Sequence, residues 1–218
     1  RFLSGDDNDG YARVLEVREF EFPRDHGSHP DYRSEWWYFT GNLNGESGNR
    51  FGFELTFFRF ALTPRRGDRE SPWGANQAWM AHLALTDGSE RRFVAAERFS
   101  RGALGLAGST SAPFSLHLED WSVASSGPKF SPLTLNAATD EGEIHLTLTA
   151  LKDVVRNGAS GVDKKGPEDG NASYYYAITR LDVTGEIRVR QHEEQVTGLA
   201  WMDREWGTSA LSRDLEGW

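Results

Sequence analysis

The chain has 218 residues, no cysteine, and 33 acidic against 24 basic side chains, for a formal charge of -9. That length buries a core without staples, a disulfide scaffold is excluded, and a pI near 5.2 argues against a phosphate-binding surface, so no nucleic-acid partner is expected. No run approaches the roughly 20 apolar residues of a transmembrane segment, so none is expected either. The opening, RFLSGDDNDG, lacks the basic start and apolar stretch of an export signal, which was therefore either removed or never present. Rings are abundant: 8 Trp, 13 Phe and 6 Tyr in a chain that is 38% hydrophobic. Such a chain builds its core from aromatic side chains, or lines a cavity for an apolar small molecule with them.

Residues 6 to 10, Asp-Asp-Asn-Asp-Gly, read as an acidic lead-in, and Glu16 to Phe22 alternates charged and apolar residues as a half-buried strand does until Pro23 stops it. A turn-rich segment with two histidines leads to Ser34 to Leu43, dense in β-formers, and to the hairpin signal Asn44-Gly45. Arg50 to Thr63 is the clearest period-2 stretch, with Phe51, Phe53, Leu55 and Phe57 on one face and Gly52, Glu54 and Thr56 on the other. Pro64 to Gly74 is a charged loop. Gln77 to Leu85 and Arg92 to Phe99 flank an Asp87-Gly88 turn, so two hairpins suggest a meander. Arg101 to Gly108 reads as loop. Further strands are predicted at Phe114 to Val123, Leu133 to Ala138, Glu143 to Leu151, Ser173 to Val183 and Glu186 to Gln191, with a long Gly-, Lys- and Asp-rich excursion from Val155 to Asn171 of the kind that serves as a lid. About ten strands and no helical period predict an all-β barrel or bent sandwich.

Several constellations invite chemistry. Alternation puts Trp36 and Tyr38 on one face of their strand and Glu35, Trp37 and Phe39 on the other, so both faces should be covered, one by the core and one by a ligand, a helix or a second domain. A covered Glu35 must be protonated or paired, and a salt bridge to an arginine is the ordinary solution. In LAWMDREWGT, Leu199 to Thr208, extended chain places Trp201, Asp203 and Glu205 on one side and Met202, Arg204 and Trp206 on the other. An acid between indoles suits proton donation, because desolvation raises its pKa and ring faces stabilise a neighbouring cation. The same residues also read as an ordinary charged turn. Tyr174, Tyr175 and Tyr176 offer phenols to a substrate or fill a strand. His82, beside Met80 and Ala84, is expected to point inward. His26, His29 and Asp31 carry too few ligands for zinc, so no metal is expected. Asn171-Ala172-Ser173 matches the glycosylation triplet, a frequent chance match. Nucleophile elbow, phosphate-cradling loop and dinucleotide fingerprint are all missing, so no nucleotide cofactor is expected.

Taken together, HPDYRSEWWYFTGNL (29 to 43), WMAHLALTD (79 to 87), KGPEDGNASYYYAITRL (165 to 181) and GLAWMDREWGTS (198 to 209) resemble the AttH-like group of secreted proteins, related to carotenoid 1,2-hydratase (hydroxyneurosporene synthase). The resemblance implies tandem lipocalin-like β-barrels packed on each other with a ligand site near their junction. This chain would carry the first barrel over residues 1 to 198, and the interdomain segment and the start of a second barrel over 199 to 218. Trp218, closing the chain after Glu216-Gly217, reads as a cut. A periplasmic or secreted location is implied, with the signal removed. Hydratases of the group add water to an isoprenoid double bond without a cofactor, and they carry a histidine-bearing version of the Asp-x-x-Trp-Gly stretch where Arg204 and Glu205 stand here. On this basis Asp203 is the expected acid, with Glu205 or Tyr176 steering water. Trp36, Trp37, Tyr38, His82, Tyr174, Trp201 and Trp206 are expected to hold an apolar isoprenoid or lipid-like ligand. The alternatives are a periplasmic carrier of apolar ligands associated with an ABC transporter, and a hydrolase using the Asp203 and Glu205 pair.

Overall fold

A computed structural model of the chain describes residues 9–64 and 71–208. Among these residues one antiparallel sheet is built from β1 (Ser34–Gly45), β2 (Arg50–Ala61), β3 (Gln77–Asp87), β4 (Arg92–Arg101), β5 (Ala107–Ser111), β6 (Phe114–Leu118), β7 (Trp121–Ser125), β8 (Leu133–Ala138), β9 (Gly142–Ala150), β10 (Val155–Arg156), β11 (Val162–Lys164), β12 (Ala172–Val189) and β13 (His192–Gly207). The order is β4-β3-β2-β1-β13-β12-β9-β8-β7-β6-β5, and β10 and β11 pair with the first part of β12. The sheet curls until β4 meets β6, which makes an all-β, nearly closed barrel. Arg98 of β4 crosses the seam, pairing with Asp120 and lying 4.6 Å from the ring of Trp121.

Period-2 alternation decides what fills the barrel. Trp37, Phe39, Leu43, Phe53, Leu55 and Phe57 point inward and are at most 3% exposed, joined by Leu83, Leu146, Leu181 and Met202 from strands around the wall. Each such side chain stabilises the fold by roughly 1.5–3 kcal/mol through apolar burial. Gly41 sits among them because a Cβ there would lie 2.5 Å from the ring of Phe53, so the missing side chain lets that ring cross the strand. Trp36, Tyr38 and Thr40 point outward and are half-buried.

Several sequence expectations are corrected. Glu16 to Phe22 is not a strand. It crosses one end of the barrel, where Phe20 packs in a second cluster with Val14, Tyr174, Tyr176 and Trp206 while Arg18 pairs with Asp25. Its alternation is that of a plug on a barrel rim. Phe114 to Val123 divides into β6 and β7 at Glu119, whose φ of 57° turns the chain. Ser173 to Val183 and Glu186 to Gln191 form the single strand β12, and a bulge between Ile178 and Leu181 restores the inward phase of Leu181 and Val183. The expected boundary at residue 198 falls inside β13, which lies between β1 and β12 at the middle of the sheet. His82 points outward, because Trp79, Ala81, Leu83 and Leu85 take the inward phase of β3. Residues 6 to 8 of the acidic lead-in, 65 to 70 of the charged loop and 209 to 218 after β13 lie outside the described residues.

Candidate functional site

Consecutive residues Asp203, Arg204 and Glu205 alternate through the wall and enter two different environments. Inward, at the plugged end, Glu35 is fully buried against Arg59 and Arg204, and the backbone N–H of His29 donates to both of its oxygens at 3.0 Å. Arg204 also donates to the carbonyls of Gly27 (2.7 Å) and Glu205 (2.8 Å), and its guanidinium lies 3.9 Å from the ring of Trp37. His29 stacks on Trp206 at 4.1 Å, and its Nε2 is 3.0 Å from Asp25. Burial alone would push the Glu35 carboxyl up, yet the two guanidiniums and His29 hold it well below the usual range. Asp25 is held low likewise, by His29, Arg18 and the Glu21 N–H against its own burial. Beside them His26 is pushed down to about 3 by burial and by Arg204, so it is neutral, and its Nδ1 is 2.6 Å from the hydroxyl of the buried Tyr176. This end is an ionic plug in which every oxygen of Glu35 and Asp25 meets a donor, while Arg59 Nη1, Arg204 Nε and Trp206 Nε1 are buried without an acceptor among the described residues.

The outer face differs. Cross-strand register places Trp36 beside Glu205, and Tyr38 beside Asp203, with Tyr175 on the far side of Glu205. Burial pushes the Asp203 carboxyl above its ordinary value, opposed by Trp201 and by Tyr175, whose hydroxyl donates to it at 2.8 Å. Among the described residues Asp203 has no ion-pair partner, and Arg204 is on the other side of the sheet. The Glu205 carboxyl is also pushed up by burial, but Lys165 stands against it at 2.7 Å. That ammonium lies 5.9 Å from the rings of both Trp36 and Tyr175. Further along the same face Trp36, Phe58, Met80 and Phe99 follow one another in register across four strands, an apolar band beside the carboxylates. Glu54, on β2, is a third outward carboxyl pushed up by burial.

The sheet therefore divides the sequence-predicted set. Asp203, Glu205, Trp201, Trp36, Tyr38 and His82 share the outer face, whereas Trp37, Tyr174, Tyr176 and Trp206 are inside the barrel or its plug. Tyr176 is buried on the other side of the sheet from Asp203, and Tyr175 is the phenol that reaches that carboxyl. Lys165 and Glu54 are the outer-face groups that sequence reasoning missed. For Lys165 the signal lay in the 155 to 171 excursion, which folds back along β12 through β10 and β11. His26 and His29 do not gather as metal ligands, since Tyr176 faces His26 and carboxylates face His29. Asp87, Glu90 and His192 have donor atoms close enough to share a cation, at the barrel end remote from the plug. There His192 lies between Asp87 (2.5 Å) and Glu194 (2.8 Å).

The profile of one protein family, described as AttH-like, matches residues 13–218. Among solved structures, a Nitrosomonas europaea protein assigned as an AttH superposes with a TM-score of 0.80 at 31% identity, covering 93% of this chain and 60% of the other. Kievitone hydratase from Nectria haematococca superposes with a TM-score of 0.63 at 12% identity, covering 97% and 59%, and shares the fold. The chain thus spans about three fifths of the length of these structures. No curated protein sequence matches it.

Proposed function

The chain belongs to the AttH-like family, and on that premise we propose that its outer face is one wall of a cofactor-independent hydratase site, or that of a related acid-catalysed enzyme, for an apolar isoprenoid or lipid-like substrate. One observation carries the reading: Asp203 is a desolvated carboxyl among rings, hydrogen-bonded by neutral Tyr175, with the guanidinium of the adjacent Arg204 on the opposite face. A donor has to hold its proton at working pH, and burial without a cation partner shifts Asp203 in that direction. In the step proposed, the Asp203 O–H bond breaks as a C–H bond forms on one alkene carbon. The other carbon becomes a cation beside Trp201 and Trp36, water adds to it, and the proton lost from that water returns to a carboxylate of the pair. The half-buried rings of Trp36, Tyr38 and Phe58 need a cover to exclude bulk water, and a second lipocalin-like barrel is the proposed one. Periplasmic or secreted placement is proposed with it.

The apolar band Trp36–Phe58–Met80–Phe99 also supports a second reading, a carrier of apolar ligands serving an ABC transporter, which needs no acid. A hydrolase using Asp203 and Glu205 would need the two to flank a scissile bond, yet they stand side by side on one strand face. Asp203→Asn separates the first two. It keeps shape and removes the transferable proton, so incorporation of heavy-oxygen water into a panel of alkenes should fall by at least about a hundredfold while ligand affinity is retained. Parent-like turnover in the variant would leave the carrier as the better reading.

A further inference from the structure

The excursion between β9 and β12 has a chemical consequence as well as a structural one. After β11 pairs with the start of β12, the chain turns at Lys165, whose N–H donates to the carbonyl of Asn171 at 2.8 Å. From there the side chain crosses the outer face of β12 to reach Glu205 on β13. Its ammonium is 2.7 Å from Glu205 and 2.7 Å from Asp163, over the faces of Trp36 and Tyr175, and the side chain is only 18% exposed. Asp203, two residues along the strand, is hydrogen-bonded by a phenol.

Two carboxyls about 7 Å apart on one strand face would compete for the same proton if their surroundings matched. Here they do not match. An ammonium in a desolvated contact favours the ionised form of its partner, whereas a neutral donor does so far less. We infer that Lys165 is a positioning residue that assigns the proton of the pair: it holds Glu205 as the carboxylate and leaves Asp203 as the protonated member. The inference rests on the hydratase reading for its purpose, since it gives that site one acid and one permanent anion beside the developing cation. Its physical content is independent of any substrate. Burial leaves both carboxyls above their ordinary values; the groups that oppose it are the neutral Trp201 and Tyr175 at Asp203, and the charged Lys165 together with Ser173 at Glu205.

The other groups on this face are Asp163 on β11, Ser173 and Tyr175 on β12, Trp201 on β13, Tyr38 on β1, Glu54 on β2 and, beside Glu54, His82 on β3. Of these none is a cation paired with Glu205, so removing Lys165 removes the positive charge that this contact provides. The test is a carbon-13 carboxyl NMR titration of the whole chain, with assignment by Asp203→Asn and Glu205→Gln. In the parent Glu205 should titrate below Asp203. In Lys165→Met and in Lys165→Gln its midpoint should rise by about one pH unit or more, and Lys165→Arg should restore it. Loss of tertiary structure would change every carboxyl together, and the arginine variant guards against that case. A Glu205 midpoint that moves by less than about 0.3 unit in both uncharged variants, or an Asp203 midpoint below that of Glu205 in the parent, overturns the assignment. Failure of the hydratase reading would show instead in the turnover of Asp203→Asn, which this titration does not measure.

Discussion

Two regions separated by one sheet thickness treat their charges in opposite ways. In the plug Glu35 and Asp25 are buried, with the buried Arg59 and Arg204 and the half-buried Arg18 as their partners, and are ionised because every oxygen faces a donor. On the outer face Asp203 is partly desolvated and is offered neutral groups. The first arrangement spends charge on holding the N-terminal segment over the barrel. The second leaves a carboxyl shifted toward its protonated form, which is a chemical capacity that a paired carboxylate lacks.

Breaking the plug should give the largest effect. Glu35→Gln leaves Arg59 and Arg204 buried without their shared anion, and breaking a buried pair in this way costs about 3–5 kcal/mol. Urea unfolding of the parent and the variant should show that loss as a lower midpoint with an unchanged slope. A loss below about 1 kcal/mol would mean that the cluster does not hold the plug. The pH dependence follows in sign. A carboxyl held low in the folded state contributes stability that is present above its unfolded pKa and lost as pH falls toward the folded value, so this contribution weakens only in acid.

Asp203 should behave in the reverse sense, which sharpens the contrast. A carboxyl pushed up in the folded state contributes stability that is complete below its unfolded pKa and lost as pH rises through the folded value. Asp203→Asn should therefore match or exceed the parent in thermal midpoint at pH 8, and the difference should shrink toward pH 4. A variant less stable than the parent at pH 8 but not in acid would show that the ionised form is the favoured one.

How much of this was legible follows from what alternation can report. The inward and outward phases of β1, β2 and β13 were readable because each strand is longer than its neighbours' loops and carries large side chains on fixed phases. Asp203 and Arg204 were therefore placed on opposite faces correctly. Alternation does not say which face is the core, and so His82 was expected inside, where Ala81 in fact takes the inward phase with Trp79 and Leu83. Nor does it report contacts made by loops. Arg59 stands directly opposite Glu35 on the next strand, a pairing set by the hairpin register, whereas Arg204 comes from β13 far along the chain, and Lys165 arrives from an excursion whose composition gives no register. Phe20 illustrates the remaining failure, since an alternating segment packs equally well as a strand or as a strap across a barrel end.

The smallest expected effect separates the faces at adjacent residues. Tyr175 donates its hydroxyl to Asp203 at 2.8 Å, whereas the Tyr176 hydroxyl is 2.6 Å from His26 on the other side of the sheet. Tyr175→Phe removes a donor that favours the ionised carboxylate, so the Asp203 midpoint should move further up, with a stability loss of about 1 kcal/mol. Tyr176→Phe leaves the Asp203 midpoint unchanged, since the intervening strand backbone and the neutral His26 carry no charge to it, although it removes a buried hydrogen bond and weakens the plug. Carboxyl NMR of the two variants reads both outcomes. Equal shifts at Asp203, or none from Tyr175→Phe, would mean that the two faces are not electrically separate, and the division between a structural interior and a chemical exterior would have to be given up.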